Sequence, residues 1–194
     1  MGYGRNALWL AEQGYEVEGW ETDRRYLAEA RREARRRGLR LTLRRADFSR
    51  VRFRGPYDAI VISNALHQVR RSAALRTLRQ ASQALAPGGQ LFLLVKLTRD
   101  PHFQRLKSNL AWQAVRGERN TFRHRGRGWV LSALTRAEVK SALRGLRVRQ
   151  YREGVYRSRW PEPGGAGEPG AVRHHLAEVA ARKPTGRGEN RGNE

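Results

Sequence analysis

The sequence predicts an α/β fold built on a largely parallel sheet and closed by an antiparallel strand pair. Three observations lead there. Strand and helix signals alternate through the first half of the chain. Two continuous apolar runs, Ala59-Ile-Val-Ile-Ser63 and Leu91-Phe92-Leu93-Leu94-Val95, have the character of parallel strands covered on both faces. Near the C-terminus, two strand-like segments flank Pro161-Glu-Pro-Gly-Gly-Ala-Gly-Glu-Pro-Gly170, a flexible connection suited to an antiparallel pair.

The elements follow in order. Residues 6–13 read as a short helix stopped by Gly14, and 15–20 as a strand around Val17. Asp23 caps a helix over 24–37, with Tyr26, Leu27, Ala30 and Ala34 on one face and Gly38 as its stop. Leu39, Leu41 and Leu43 alternate with Arg40, Thr42 and Arg44 as a half-exposed strand. After the 59–63 strand a helix spans 71–85, ended by Pro87-Gly88-Gly89, and a second buried strand covers 90–96. Beyond Lys96 the rhythm changes: 100–116 reads as a helix and 118–128 as a basic loop. Thr135-Arg-Ala-Glu138 is a capping box opening a helix to about Leu143, stopped near Gly145. Strands over 147–159 and 172–183 complete a single domain of residues 1–183, and 184–194 reads as a disordered tail.

Composition bounds the function. The chain has 194 residues, a formal charge of +22 and no cysteine, which excludes a disulfide framework, a thiolate metal site and a cysteine nucleophile. No apolar run approaches the ~18 residues of a membrane span. The opening Met-Gly-Tyr-Gly-Arg-Asn is unlike a signal peptide, so the expectation is a soluble cytoplasmic protein. All but Lys96, Lys107, Lys140 and Lys183 of the 40 basic residues are arginine. They are scattered and not gathered into one arm, the pattern of a solvated surface; a phosphate-binding surface is the other reading.

One constellation carries chemistry. Gly2-Tyr3-Gly4 precedes a helix and then a strand ending at Glu21. In a nucleotide-binding α/β unit, glycines let backbone amides approach the ligand, and an acid at the tip of the next strand, about 20 residues on, accepts the ribose hydroxyls. Glu21 answers that spacing if the first glycine of the pattern falls just before Met1. Further on, Arg45-Ala-Asp47-Phe48, Tyr57-Asp58-Ala-Ile-Val-Ile-Ser63-Asn64-Ala-Leu66-His67 and Leu85-Ala-Pro87-Gly88-Gly89 occur in order. With these motifs the sequence resembles the class I S-adenosylmethionine-dependent methyltransferases, which have a Rossmann-like fold. The Gly2-Tyr-Gly4-Arg5-Asn6 start and the Ala-Glu-Val-Ala-Ala-Arg-Lys-Pro ending look most like the small tellurite-resistance (TehB-like) branch.

The resemblance, over about residues 1–184, implies S-adenosylmethionine as cofactor. It implies that Gly2 and Gly4 face the methionine and ribose, that Glu21 binds the ribose, and that Trp20 and Thr22 flank it near the adenosine. Asp47 matches the residue that reads the adenine amino group, with Phe48 as an apolar ring contact. Ser63 and Asn64 match the end of the strand beside the methionine and the reacting methyl. The family also begins with an apolar strand that is not found ahead of Gly2; its absence would bare two strand edges, so the expectation is a start site placed too late or an incomplete sequence.

Acceptor chemistry is less legible. His67 follows the 59–63 strand and suits a general base, although a structural or positioning role is the preferred reading. His174 and His175 adjoin on a strand and so face opposite sides, and with His102 and His124 they show no metal-ligand spacing. The family covers its pocket with the stretch from Thr98 to Trp129, which makes Phe103, Trp112, Phe122 and His124 candidate lining; Arg157 and Arg159 share a strand face and could meet an anionic substrate. The reading taken forward is methyl transfer to a small molecule or metalloid oxyanion. The alternatives are an inactive remnant that binds nucleic acid through its arginines, and an RNA methyltransferase; the oligomeric state is left open.

Overall fold

The computed structural model describes residues 1–158 and 172–185. The chain divides into two compact units, Met1–Arg52 and Phe53–Glu194.

In the first unit, α1 (Arg5–Glu12) leads to β1 (Val17–Glu21), and α2 (Arg24–Arg36) to β2 (Leu41–Arg45). The two strands pair in parallel from Val17↔Leu41 to Glu21↔Arg45, so both end at the same edge. Gly4 stands ahead of α1 in the left-handed region at φ 81°, and a Cβ on it would lie 3.0 Å from the Cβ of Ala30. Glycine therefore serves both the turn and the approach of α1 to α2. Asp23 caps α2 as expected, its carboxylate accepting the Arg25 N–H at 2.8 Å. Leu27, Ala30 and Ala34 form the buried stripe, with Leu27 and Ala30 packed on Leu43 of β2.

The second unit holds a four-stranded sheet in the order β3 (Tyr57–Ser63), β4 (Leu85–Lys96), β9 (Val172–Arg182), β8 (Arg147–Ser158). β3 and β4 are parallel, while β9 runs antiparallel to both β4 and β8. The predicted parallel pairings and C-terminal antiparallel pair are thus present, and the class is the expected Rossmann-like α/β fold. Leu91, Leu93 and Val95, with their ladder partners Ala181, Val179 and Ala177, form a fully buried face. Buried residues of α3 (Arg71–Ala84) and α5 (Arg136–Ala142), among them Leu78 and Val139, complete this core.

Several expectations need correction. The expected 71–85 helix is present as Arg71–Ala84 but yields directly to β4 at Leu85, so Pro87-Gly88-Gly89 lies inside the strand and is not its stop. A Cβ at Gly89 would sit 2.8 Å from the Tyr57 carbonyl oxygen, which is why glycine stands where the β3–β4 ladder shifts register. The apolar runs are not covered on both faces: Val61 is 39% and Phe92 42% exposed, and they are ladder partners. The 100–116 helix shrinks to α4 (Pro101–Arg105). Asn109 redirects the chain, since its side chain accepts the Ala111 N–H and its carbonyl the Trp112 N–H. Of the expected 118–128 loop, residues 121–124 are strand and the rest is turn or loop. β5 (Trp112–Ala114), β6 (Thr121–His124) and β7 (Val130–Ser132) form a three-stranded antiparallel sheet that the sequence did not announce. The whole Pro161–Gly170 connection and residues 186–194 of the expected tail lie outside the described residues. No described helix is long and apolar enough to cross a membrane.

The capping box at Thr135 is present in full. Glu138 closes it by accepting the Thr135 N–H at 2.8 Å, and also takes the Arg71 Nε–H at 2.6 Å, joining α5 to the start of α3. Burial alone would raise the Glu138 pKa, but these bonds outweigh it and hold the carboxyl below its ordinary 4.5. Thr135→Ala is expected to cost about 1 kcal/mol in urea unfolding. Glu138→Gln is expected to cost about 2 kcal/mol at neutral pH. A carboxyl depressed on folding stabilises fully above its unfolded pKa and loses that effect as the pH falls through the folded value. The gap between wild type and Glu138→Gln should therefore narrow below about pH 4.5; a gap constant down to about pH 3 would contradict the assignment.

Candidate cofactor site

The first unit brings its predicted residues to one edge. β1 delivers Glu21 at its carboxyl end, and the chain before α1 returns to meet it. One carboxylate oxygen of Glu21, Oε2, accepts the Gly2 N–H at 2.6 Å and the Met1 ammonium at 3.0 Å. Oε1 accepts the N–H groups of Thr22 (2.7 Å) and Asp23 (2.9 Å) and, more weakly, the Thr22 hydroxyl at 3.3 Å. Burial would raise the Glu21 pKa; the Asp23 and Gly2 amides and the nearby ammonium prevail and lower it. The group is an ionised acceptor. Gly2 has φ 59°, and a Cβ there would find nothing within 4 Å, so the backbone is open on that side.

β2 ends at Arg45, the ladder partner of Glu21, and Asp47 and Phe48 follow at once. The Asp47 Oδ1 accepts the Ser49 N–H at 2.9 Å and the Ser49 hydroxyl at 2.7 Å, while Oδ2 lies 3.5 Å from Arg50 Nε. Phe48 and Trp20 are half-buried and Thr22 is exposed. Gly2, Glu21 and Thr22 are thus linked by hydrogen bonds, and Asp47 stands at the neighbouring strand end.

In the second unit, Ser63 ends β3 opposite Leu94, and Asn64 takes the left-handed conformation at φ 51° while its N–H donates to the Leu94 carbonyl at 3.0 Å. A 3-10 turn, Leu66–Gln68, carries the half-buried His67. The Ser132 hydroxyl donates to Val69 O at 2.7 Å, fastening β7 to that turn. Phe103, Trp112, Phe122 and His124 do assemble, but as packing. Phe103 and Trp112 are core residues with Leu106 and Ala133, Phe122 lies edge-on to Phe103 at 5.5 Å, and His124 edge-on to Trp112 at 5.1 Å. Arg157 pairs through its backbone with Arg173, and Arg159 lies outside the described residues.

The sequence reading missed one polar centre. Asp100 is fully buried; its Oδ1 accepts the Phe103 N–H at 2.9 Å and its Oδ2 the His175 N–H at 3.0 Å. Lys96 Nζ lies 3.9 Å and His174 Nδ1 3.4 Å from the same carboxylate. His175 points the other way, its Nε2 3.8 Å from Glu153, as the strand alternation requires. The Asp100-Pro101 step, an N-cap with proline at the first helical position, was the available signal.

The chain is similar to known proteins. Residues 1–89 match the family described as a methyltransferase domain. Among solved structures, TehB from Haemophilus influenzae aligns with a TM-score of 0.69 at 16% identity, over 94% of this chain and 55% of that one. The chain thus spans little more than half the length of TehB. An S-adenosylmethionine-dependent methyltransferase from Methanosarcina mazei aligns at 0.70 and 20% identity, over 95% and 90% of the two chains. The 1,6-didemethyltoxoflavin-N1-methyltransferase of Burkholderia thailandensis, solved with S-adenosylhomocysteine, aligns at 0.61 and 18% identity, over 94% and 68%. No curated protein matches the sequence. Residues 1–89 thus resemble a methyltransferase domain, and the chain has the Rossmann-like α/β fold of these solved structures.

Proposed function

We propose that the protein transfers a methyl group from S-adenosylmethionine to a small molecule, a metalloid oxyanion among the candidates. The observation that carries the cofactor assignment is the Glu21 carboxylate bonded to the Gly2 amide at the carboxyl end of β1. That edge is where α/β sheets hold their ligands. The residues present fit a nucleoside. Glu21 is an acceptor for the ribose hydroxyls; of the donors now on it, the Thr22 hydroxyl is the most weakly held, at 3.3 Å. Asp47 presents Oδ2 to the adenine amino group, and Phe48 and Trp20 offer apolar surface to the ring. The open backbone at Gly2 admits close approach, with Gly4 directing α1 away from it.

The cofactor supplies an activated sulfonium methyl, so this chain's task is to hold and orient. Positioning alone can account for roughly 7–11 kcal/mol of such a barrier. In the second unit, Ser63 and Asn64 are the residues assigned to the methionine end, with Asn64 fixed by its bond to Leu94 O. His67 is assigned to orient the acceptor or take its proton. Arg157 and Arg159 are assigned to an anionic acceptor. Of the candidate lining residues, Phe103 and Trp112 are core, which leaves the half-buried Phe122 and His124 assigned to the acceptor. The Burkholderia relative, whose named substrate is small, supports the small-molecule reading; the comparisons do not favour the nucleic-acid alternative.

Calorimetric titration with S-adenosylhomocysteine tests the cofactor assignment. Wild type should bind saturably. Glu21→Ala should bind at least tenfold more weakly, since a hydrogen bond to a charged group is worth about 1.5–3 kcal/mol. Equal affinity in the two proteins, with both folded by circular dichroism, would refute the role of Glu21.

A further inference from the structure

We propose that Ser49 is a positioning residue that sets the Asp47 carboxylate to distinguish a 6-amino from a 6-oxo purine. The proposal rests on the cofactor reading above and deepens it. Asp47 is held at both ends. Its carbonyl accepts the N–H groups of Arg50 and Val51 at 2.9 and 3.2 Å, which winds residues 47–51 into a tight turn. Its side chain is fixed through one oxygen alone: Oδ1 takes the Ser49 amide at 2.9 Å and the Ser49 hydroxyl at 2.7 Å. Ser49 is itself buried, at 9% exposure, so its hydroxyl makes this bond away from bulk water.

Two donors on one oxygen fix both side-chain torsions of an aspartate and so the plane of its carboxylate. The other oxygen, Oδ2, is left facing Arg50, whose side chain is 86% exposed and 3.5 Å away. An exposed ion pair of that length is weak and readily displaced. Oδ2 is thus a pre-aimed acceptor. An ionised carboxylate offers no donor, so it welcomes the N–H of a 6-amino group and opposes the lone pairs of a 6-oxo group. Discrimination of this kind depends on the acceptor being held where it is: a carboxylate free to rotate can turn toward Arg50 and admit either base. Without the Ser49 hydroxyl, Oδ1 keeps only the amide bond and that freedom returns.

The test compares S-adenosylhomocysteine with S-inosylhomocysteine by calorimetry, reading the ratio of the two dissociation constants. A uniform loss of structure weakens both ligands and leaves the ratio unchanged, so the ratio isolates the aim of Asp47. Wild type should prefer the adenosyl ligand by about a hundredfold. Ser49→Thr, which keeps the hydroxyl, should preserve that ratio. Ser49→Val, of the same shape without the hydroxyl, should lower it about tenfold, as should Ser49→Ala. If Ser49→Val keeps the wild-type ratio, Ser49 does not aim Asp47 and the proposal is overturned. If wild type binds neither ligand, the cofactor reading itself has failed; if it binds both equally, Asp47 does not read the 6-position and the proposal falls while the cofactor reading stands.

Discussion

The first unit depends on a carboxylate gathering backbone amides. Glu21 is largely buried, and an ionised carboxylate removed from water is costly unless its lone pairs are filled. Three are taken here by Gly2, Thr22 and Asp23, whose N–H groups come from the segment before α1 and from the turn that opens α2. The bonds therefore do more than offset burial. They tie the start of the chain to the end of β1 and hold the glycine segment where a ligand would meet it. Replacing Glu21 with an apolar residue would leave those amides without acceptors, and each such loss costs about 1–3 kcal/mol.

Parallel pairing extends this constraint to the second acid. Because Glu21 is paired with Arg45, the residues after Arg45 emerge at the same sheet edge, and Asp47 follows two positions later. The two acids are held differently. Glu21 uses both oxygens to organise its own backbone, whereas Asp47 fixes one oxygen and turns the other outward. A carboxylate anchored before a ligand arrives loses little freedom when it binds, so affinity and selectivity are served by the same bonds.

Legibility in the sequence followed the length and locality of each signal. The α2 cap at Asp23, the capping box at Thr135 and the long β8–β9 pair are written in contiguous residues, and all three are present. So is the meeting of Gly2 with Glu21, because glycine spacing before a helix and an acid at a strand tip together define it. The β5–β6–β7 sheet was not readable: strands of three or four residues contain too few alternations to stand out from a loop. Propensity carried the supposed helix past Arg105, where one Asn109 side chain decides otherwise by bonding the backbone two residues on. The apolar run at 59–63 promised two covered faces, but hydrophobicity does not say which face meets a neighbour, and Val61 and Phe92 are open. Asp100 escaped because His174 and the amide of His175 are distant in sequence, and Lys96, four residues back, gives no signal by itself.

The Asp100 centre also clarifies why so many titratable groups need not imply acid–base catalysis. Asp100 accepts amides from α4 and from β9, so it closes the second unit around the carboxyl end of β4 much as Glu21 closes the first around β1. Removing the carboxylate would leave two amides and the buried Lys96 without it, a far larger disturbance than the loss of a surface acid. His174 and His175 diverge to Asp100 and Glu153 and so serve two different contacts. Both units thus place a buried acid at a strand end and use it for geometry. The methyl transfer proposed above demands geometry above all, and carboxylates bound by backbone amides supply it.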